Sequence, residues 1–355
     1  MKTVGIIGAG QLARMLALAA YPLGIKTLCL SFGQENPAHD VTDVIICQEN
    51  DFDAIQNFIE QVDVVTIETE NIPLAFAKKI AAEKPLYPSV DILAIAQDRL
   101  QEKQLFRSLN INTAEFFPVD SLDALKSAAK QLGFPCILKT RFYGYDGKGQ
   151  AVLNCEQDLI QAFDQLGQYP LILESFVPFE MEVSLIAARN LKGQTEFYPL
   201  TRNEHQNGIL RVSQAPYKHQ LADLAQNQML NLLKHLNYIG VFTVEFFIAN
   251  NTLIANECAP RVHNSGHWTI EGADTSQFEQ HIRAVTNLPL GSTKTKGFSL
   301  MHNCIGHMPD IEKILTIPGA HFHTYNKTPR PGRKVGHITL NGEHKLDVLE
   351  WAKKL

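Results

Sequence analysis

Apolar runs and helical periods alternate along the first hundred positions. TVGIIG at 3–8 is apolar almost throughout, breaks at GAGQ, and gives way to a helix expected over 12–21. A strand is expected at KTLCL, a helix over 53–61, and a strand at VDVVTIE with Glu68 and Glu70 at its carboxyl end. Strand and helix in alternation imply a parallel sheet with helices on its faces, and ligands bind beyond the carboxyl ends of such strands. A long helical stretch over 92–109 then carries Asp98, Arg99 and Lys103, followed by a helix over 122–132. After that the pattern changes. FPCILKT, AVLN, LILESFV, MEVSLIAAR, FYPLTRNEH and VFTVEFFI read as strands, so 100–290 is mixed α and β with much antiparallel pairing. FSLMHNCIG, HFHTYN and KVGHITL add short β-like pieces from about 297 onward. The expected fold class is α/β and α+β, in units over 1–100, 101–290 and 291–355.

One pair of strands carries a chemical signal. VEFFIA and TLIANECA are joined at Asn250-Asn251, and if the loop takes three residues Glu245 lies directly opposite Glu257. Cβ atoms of opposed residues lie roughly 4.5–5.5 Å apart, and like charges there repel. Two carboxylates in that position make sense with a hard cation between them. Magnesium fits, being held by one or two carboxylates while substrate phosphates complete its shell. Arg261, His263, Asn264, Ser265, Gly266 and His267 follow at once, a run of anion-binding and proton-handling groups. The segment reads as a nucleotide–metal site with a second anionic reactant beside it.

Composition narrows the class. The chain has 355 residues, 45% hydrophobic and 19% charged, with a net charge of −5, which disfavours a nucleic-acid binder. Six cysteines (Cys29, Cys47, Cys136, Cys155, Cys258, Cys304) are irregularly spaced without a CxxC pair, so they read as free thiols in a reducing cytosol. No run reaches transmembrane length, and Gly8, Gly10, Gln11 and Arg14 interrupt the apolar N-terminus. A cytoplasmic protein without membrane contact is expected.

Other motifs are open to two readings. Gly8-Ala9-Gly10-Gln11-Leu12-Ala13 has the form of a dinucleotide fingerprint, but the next strand ends in Ser31-Phe32-Gly33 without the acidic residue that takes ribose hydroxyls. A tight turn, or a site for a different phosphate, is favoured over NAD. GYDGKGQ at 144–150 is no Walker loop. Its three glycines suit a flap over phosphates, or an ordinary hairpin turn. Lys139 ends the strand before it and either faces solvent or supplies a point charge to a triphosphate. Glu174 and Glu182 are either solvated acids or a linker between lobes, and His205 in NEHQNG is equally ambiguous. RPGRKVGH gathers Arg330, Arg333 and Lys334 on a Pro-Gly turn, either a solvated face or a phosphate clamp.

Together GAGQLARM (8–15), DRLQEKQLF (98–106), GYDGKGQ (144–150), NECAPRVHNSGHWT (256–269) and RPGRKVGHI (330–338) resemble the ATP-grasp superfamily. Within it, the chain is similar over nearly its whole length to the N5-carboxyaminoimidazole ribonucleotide synthase family of purine biosynthesis. The resemblance implies a Rossmann-like N-terminal domain, two ATP-grasp lobes, a small β-rich C-terminal domain and a homodimer. It implies that ATP, bicarbonate and 5-aminoimidazole ribonucleotide give N5-carboxyaminoimidazole ribonucleotide, ADP and phosphate by way of carboxyphosphate. Arg99 and Lys139 become ATP contacts, and Gly144, Tyr145, Asp146, Gly147, Lys148, Gly149 and Gln150 the flap. Glu174, Ser175, Phe176 and Val177 become the adenine linker, with Glu182 on the ribose and His205 also at the nucleotide. Asn256 and Glu257 would touch the triphosphate, and Glu245 with Glu257 would hold magnesium, or manganese in its place. Tyr145, Asp146, Lys148, Glu70, Arg261, His263, Arg330, Arg333 and Lys334 would face the ribonucleotide. Lys148 stands where some members carry arginine, so it places a cation without the bidentate fork. Arg261 is expected to hold bicarbonate, and His263 or Asp146 to take the proton. The competing readings are another ATP-grasp ligase, such as a formate-dependent transformylase or a biotin-dependent carboxylase, and an NAD-dependent dehydrogenase. A non-catalytic nucleotide sensor is a third.

Overall fold

Strands buried on both faces pair best in parallel under covering helices, and the N-terminal runs do so. The computed structural model describes residues 2–48, 51–144 and 148–355. Its first sheet is five-stranded and parallel, in the order Asp43–Ile46, Lys26–Ser31, Thr3–Ile7, Val64–Ile67, Leu86–Tyr87. Val4 and Ile6 face the helix Gln11–Ala20 through Ala13 and Leu16, whereas Ile7 packs with Ile55 and Phe58 of Phe52–Gln61. The strand order reverses between Thr3–Ile7 and Val64–Ile67, so Glu68 and Glu70 sit at the switch point.

The helix expected over 92–109 is two helices, Val90–Gln97 and Arg99–Ser108. Asp98 between them has extended backbone, and its carboxylate caps the second helix by accepting from Leu100 N at 3.0 Å. The same carboxylate binds Arg141, so the break is anchored to the root of the glycine-rich segment. A broken axis turns Arg99 toward that segment.

Two antiparallel sheets follow. One has the order Phe116–Val119, Leu171–Ser175, Cys136–Thr140, Gln150–Leu153, under the helices Leu122–Leu132 and Asp158–Leu166. The strand–loop–strand expected around 139–150 is present as the pairing of Lys139 with Gln150. The second sheet runs Thr252–Ala259, Gly240–Ala249, Met181–Arg189, Thr201–Gln206, Ile209–Ala215, Phe298–Ile305, Lys334–Gly342, Ala320–Thr324, with Thr195–Phe197 beside Met181–Arg189. The C-terminal strands therefore extend this central sheet through the Ile209–Ala215 and Phe298–Ile305 pair. They bring Lys334 to the same end of the molecule as the parallel sheet, where it lines a cleft with Glu68 and Glu70. Among the described residues, no helix is long and apolar enough to cross a membrane.

Candidate active site

The hairpin that holds the two acids closes more tightly than its sequence suggests. Ala249 pairs with Thr252, leaving a two-residue turn of Asn250 and Asn251 with φ of +47° and +55°. Two left-handed residues are what a type I′ turn requires, and asparagine tolerates them. The three-residue loop on which the expected opposition of the two acids is conditioned is therefore not the one present, and the register near the turn is one residue out. A bulge restores it. Phe246 faces Ala255 but Glu245 faces Glu257, so Asn256 is the extra residue. In a regular strand Asn256 and Glu257 would point to opposite faces. The bulge instead lets both line one cleft with Glu245.

That cleft, of about 520 Å³, is also lined by Arg99, Lys139, Lys148, Gln150, Glu174, Ser175, Phe176, Val177, Glu182 and His205. It lies between the four-stranded and central sheets, to which its two walls belong. Glu174 is no solvated loop acid. It ends Leu171–Ser175, is 3% exposed, and accepts from Lys139 Nζ at 2.9 Å. Burial pulls the lysine below its ordinary range, and the Glu174 charge opposes that pull. Glu174 itself lies at about 2, because Lys103 and Lys139 overcome the upward push of burial. His205 is on the strand Thr201–Gln206 rather than in a loop, and its Nδ1 bonds the Glu182 carboxylate. Against burial, that bond raises the imidazole above its usual value. Burial, then the facing Glu257, pushes the Glu245 carboxyl up, as expected of a buried acid opposed by another. Among the described residues no cluster of three or more acidic, histidine or cysteine ligands exists, so a cation here needs oxygens from a ligand. The site offers two carboxylates beside a cation-lined cleft, which fits magnesium.

A second cleft, of about 420 Å³, shares Arg99 and Glu257 with the first. Glu70, Gly144, Arg261, His263 and Lys334 line it. Arg261 reaches across from the central sheet to grip Glu70 through Nε and through Nη2 at 3.1 Å. Against burial, each partner holds the other's charge: Glu70 is lowered and Arg261 raised. Nη1 donates to Val262 O at 3.2 Å, so three of the five guanidinium N–H groups are engaged by these bonds. His263 Nδ1 accepts from Ser265 N at 3.3 Å, which puts the ring proton on Nε2, 3.5 Å from Glu245 Oε1. Burial and then Arg261 keep this histidine well below its ordinary value, hence neutral.

Not every expected residue gathers here. Of the three cations at 330–334, Lys334 alone lines a cleft; Arg333 pairs with Glu35, and Arg330 is exposed. Lys148 lines the first cleft instead of the ribonucleotide side. Tyr145, Asp146 and Gly147 lie outside the described residues. The flap's ends are in place: Gly144 O accepts from Arg99 Nη2 at 3.2 Å, and Gly149 has φ of +70°.

Sequence reasoning placed Glu68, Asp98 and Lys103 on their elements without a role and did not single out Glu102. Glu68 places its carboxylate on Gly10 N at 2.6 Å and Ala13 N at 3.0 Å. These are the amides at a helix N-terminus that take a pyrophosphate in dinucleotide folds. A Cβ at Gly10 would come within 2.7 Å of that carboxylate, so the glycine makes room for an internal acid rather than a cofactor. Glu102 and Lys103 are buried at 3% and 1% exposure. Glu102 Oε1 accepts from Cys258 N at 2.5 Å, and Lys103 donates to Asn256 O at 3.2 Å, so they grip the bulge from both sides. Helical spacing from the apolar Leu105 and Phe106 was the available signal, since it turns both inward.

Three family models match the chain in succession: a ribonucleotide synthetase preATP-grasp domain at 1–97, an ATP-grasp domain at 104–278, and a phosphoribosylaminoimidazole carboxylase C-terminal domain at 299–350. N5-carboxyaminoimidazole ribonucleotide synthase of Pseudomonas aeruginosa is 47% identical over 337 residues, covering 95% of this chain and 94% of its own. The crystal structure of the corresponding synthetase from Thermus thermophilus superposes with a TM-score of 0.95 at 46% identity, covering 99% and 97% of the two chains. The Aspergillus clavatus synthase, crystallised with ADP and 5-aminoimidazole ribonucleotide, gives 0.91 at 29% identity over 99% and 96%.

Proposed function

The chain belongs to the N5-carboxyaminoimidazole ribonucleotide synthase family, and from that premise we propose that it carboxylates 5-aminoimidazole ribonucleotide with bicarbonate and ATP. The observation that carries the reading is the wall of Arg99 and Glu257 common to the two clefts. A triphosphate in the first cleft ends at the entrance of the second, where an anionic acceptor meets Arg261 and Lys334.

Bicarbonate is a poor electrophile and an aminoimidazole amine a modest nucleophile. Attack of a bicarbonate oxygen on the γ-phosphorus releases ADP and forms carboxyphosphate. Loss of phosphate from it frees carbon dioxide beside the amine, whose attack forms the new C–N bond and expels a proton. Glu245 and Glu257 would hold magnesium, which when bound would supply positive charge to the phosphates. Lys139, parked on Glu174, adds a point charge to the phosphates. Arg261, fixed by Glu70, presents its remaining N–H groups to bicarbonate and carboxyphosphate. Lys334 takes the ribonucleotide's charge, and the flap at 144–150, with Tyr145 and Asp146, keeps water out. Because His263 carries its ring proton on Nε2, on the side that faces Glu245, Asp146 is the proposed proton acceptor. A homodimer in the cytoplasm completes the proposal.

The test is ADP formation with each component omitted in turn. Full turnover is expected only with ATP, magnesium, bicarbonate and the ribonucleotide together. Equal turnover with formate replacing bicarbonate would establish the transformylase reading, and NAD(H) binding would revive the dehydrogenase.

A further inference from the structure

Lys103 is a buried cation that the steps above leave unused. It sits on the helix Arg99–Ser108 at 1% exposure, and its Nζ lies 3.3 Å from Glu174 Oε2. Lys139 Nζ reaches that same oxygen at 2.9 Å. Glu174 Oε1, the other oxygen, is buried without a hydrogen-bond partner among the described residues. Two ammonium groups thus crowd one carboxylate oxygen while its twin goes unused. For holding Glu174 alone, one lysine would suffice, and the second adds like-charge repulsion: Lys103 lowers Lys139 further after burial has done so.

The crowding makes sense if one lysine must leave. Lys139 lines the nucleotide cleft, whereas Lys103 does not and is tied behind it to the bulge carbonyl of Asn256 at 3.2 Å. We infer that Lys103 is a positioning residue that keeps Glu174 paired while Lys139 transfers from that carboxylate to the phosphates of the nucleotide. Before transfer the cluster carries two positive charges and one negative. Afterwards a neutral Lys103–Glu174 pair remains, and no bare carboxylate is stranded in the wall. Without Lys103, every departure of Lys139 would leave the buried Glu174 with no ion pair in contact and only the more distant Arg99 acting on it, which is an expensive way to break an ion pair. The inference rests on the nucleotide reading of the first cleft.

Calorimetric titration with magnesium and the β,γ-imido analogue of ATP tests it on the full-length protein. Lys103→Met is expected to weaken binding roughly 10–100-fold. The decisive comparison is charge rescue. In a Glu174→Gln background there is no carboxylate to strand, so adding Lys103→Met should change the affinity by less than about threefold. A purely structural lysine would cost the same in both backgrounds. Wild-type affinity in Lys103→Met, or a double variant roughly tenfold or more weaker than Glu174→Gln, would overturn the transfer. If Lys103→Met alone does not fold, the comparison of Glu174→Gln with the double variant decides by the same criterion. Failure of the wild-type protein to bind the analogue would instead sink the nucleotide reading, and the transfer with it.

Discussion

Glu257 stands where the two clefts meet, and its surroundings show what it is for. Arg99 Nη1 lies 3.3 Å from its Oε2, and Glu245 opposes it across the hairpin. In the free protein the arginine offsets part of the repulsion between the acids. Removing one charge relieves that repulsion, so Glu257→Gln should leave the melting temperature within a few degrees of wild type. Turnover should fall roughly 100- to 1,000-fold at saturating magnesium, the size expected when a phosphoryl-transfer contact is lost. A phosphate-release assay reads the rate and thermal denaturation the fold; near-wild-type turnover removes Glu257 from the metal role. At this scale the sequence was informative where acids broke an apolar pattern, as at Glu245 and Glu257. It gave Glu102 and Lys103 no role, because charges on a helix are normally solvated. Here partners from distant strands make their burial tolerable.

Elements were legible by type more than by boundary. Alternating strands and helices announced the parallel sheet, and strand–loop–strand around 144–150 excluded a Walker loop. The break at Asp98 was hidden, since helical periodicity continues through it and only tertiary contacts with Arg141 reveal the second N-cap. That break has a measurable consequence. Asp98→Ala removes the acceptor for Leu100 N and the partner of Arg141 together. A lost cap costs about 1 kcal/mol, and the ion pair adds to that, so the melting temperature should drop by several degrees. Unchanged melting would mean that the two helices keep their angle without the cap. The bulge at Asn256 was equally hidden, and the expected opposition of the two acids arrives through it rather than through a longer loop.

The molecule as a whole depends on how its units meet, and His281 marks one such junction. Its Nε2 faces Thr66 Oγ1 of the parallel sheet at 2.7 Å, and Nδ1 accepts from Val241 N of the central sheet at 3.0 Å. Thr66 spends its own proton on Tyr87 O, so the ring must be neutral with its hydrogen on Nε2. Protonation at Nδ1 would set a donor against a donor. Burial accordingly lowers His281 to about 4, and burial followed by His323 lowers His267 to about 3. Unfolded histidine binds its proton near 6.5, so the unfolded chain holds more protons at pH values between these limits. Stability is therefore complete above about pH 6.5 and declines as pH falls toward 4, by up to about 1.4 kcal/mol per pH unit for each histidine. Denaturant titrations at pH 7 and pH 5 should show that loss, and His281→Gln should lessen the slope by about one proton. An unchanged slope would remove His281 from the linkage. No sequence pattern announced this junction, because its partners are 215 and 40 positions away.

The chemistry has its own signature in the fate of one oxygen. If bicarbonate attacks the γ-phosphorus, the bridging oxygen stays with phosphorus when the C–O bond of carboxyphosphate breaks. Turnover with ¹⁸O-labelled bicarbonate, followed by mass analysis of the inorganic phosphate, reads it directly. Phosphate carrying one labelled oxygen per turnover is the expected result. Unlabelled phosphate, formed while the carboxylated product accumulates, would contradict activation of bicarbonate by phosphoryl transfer.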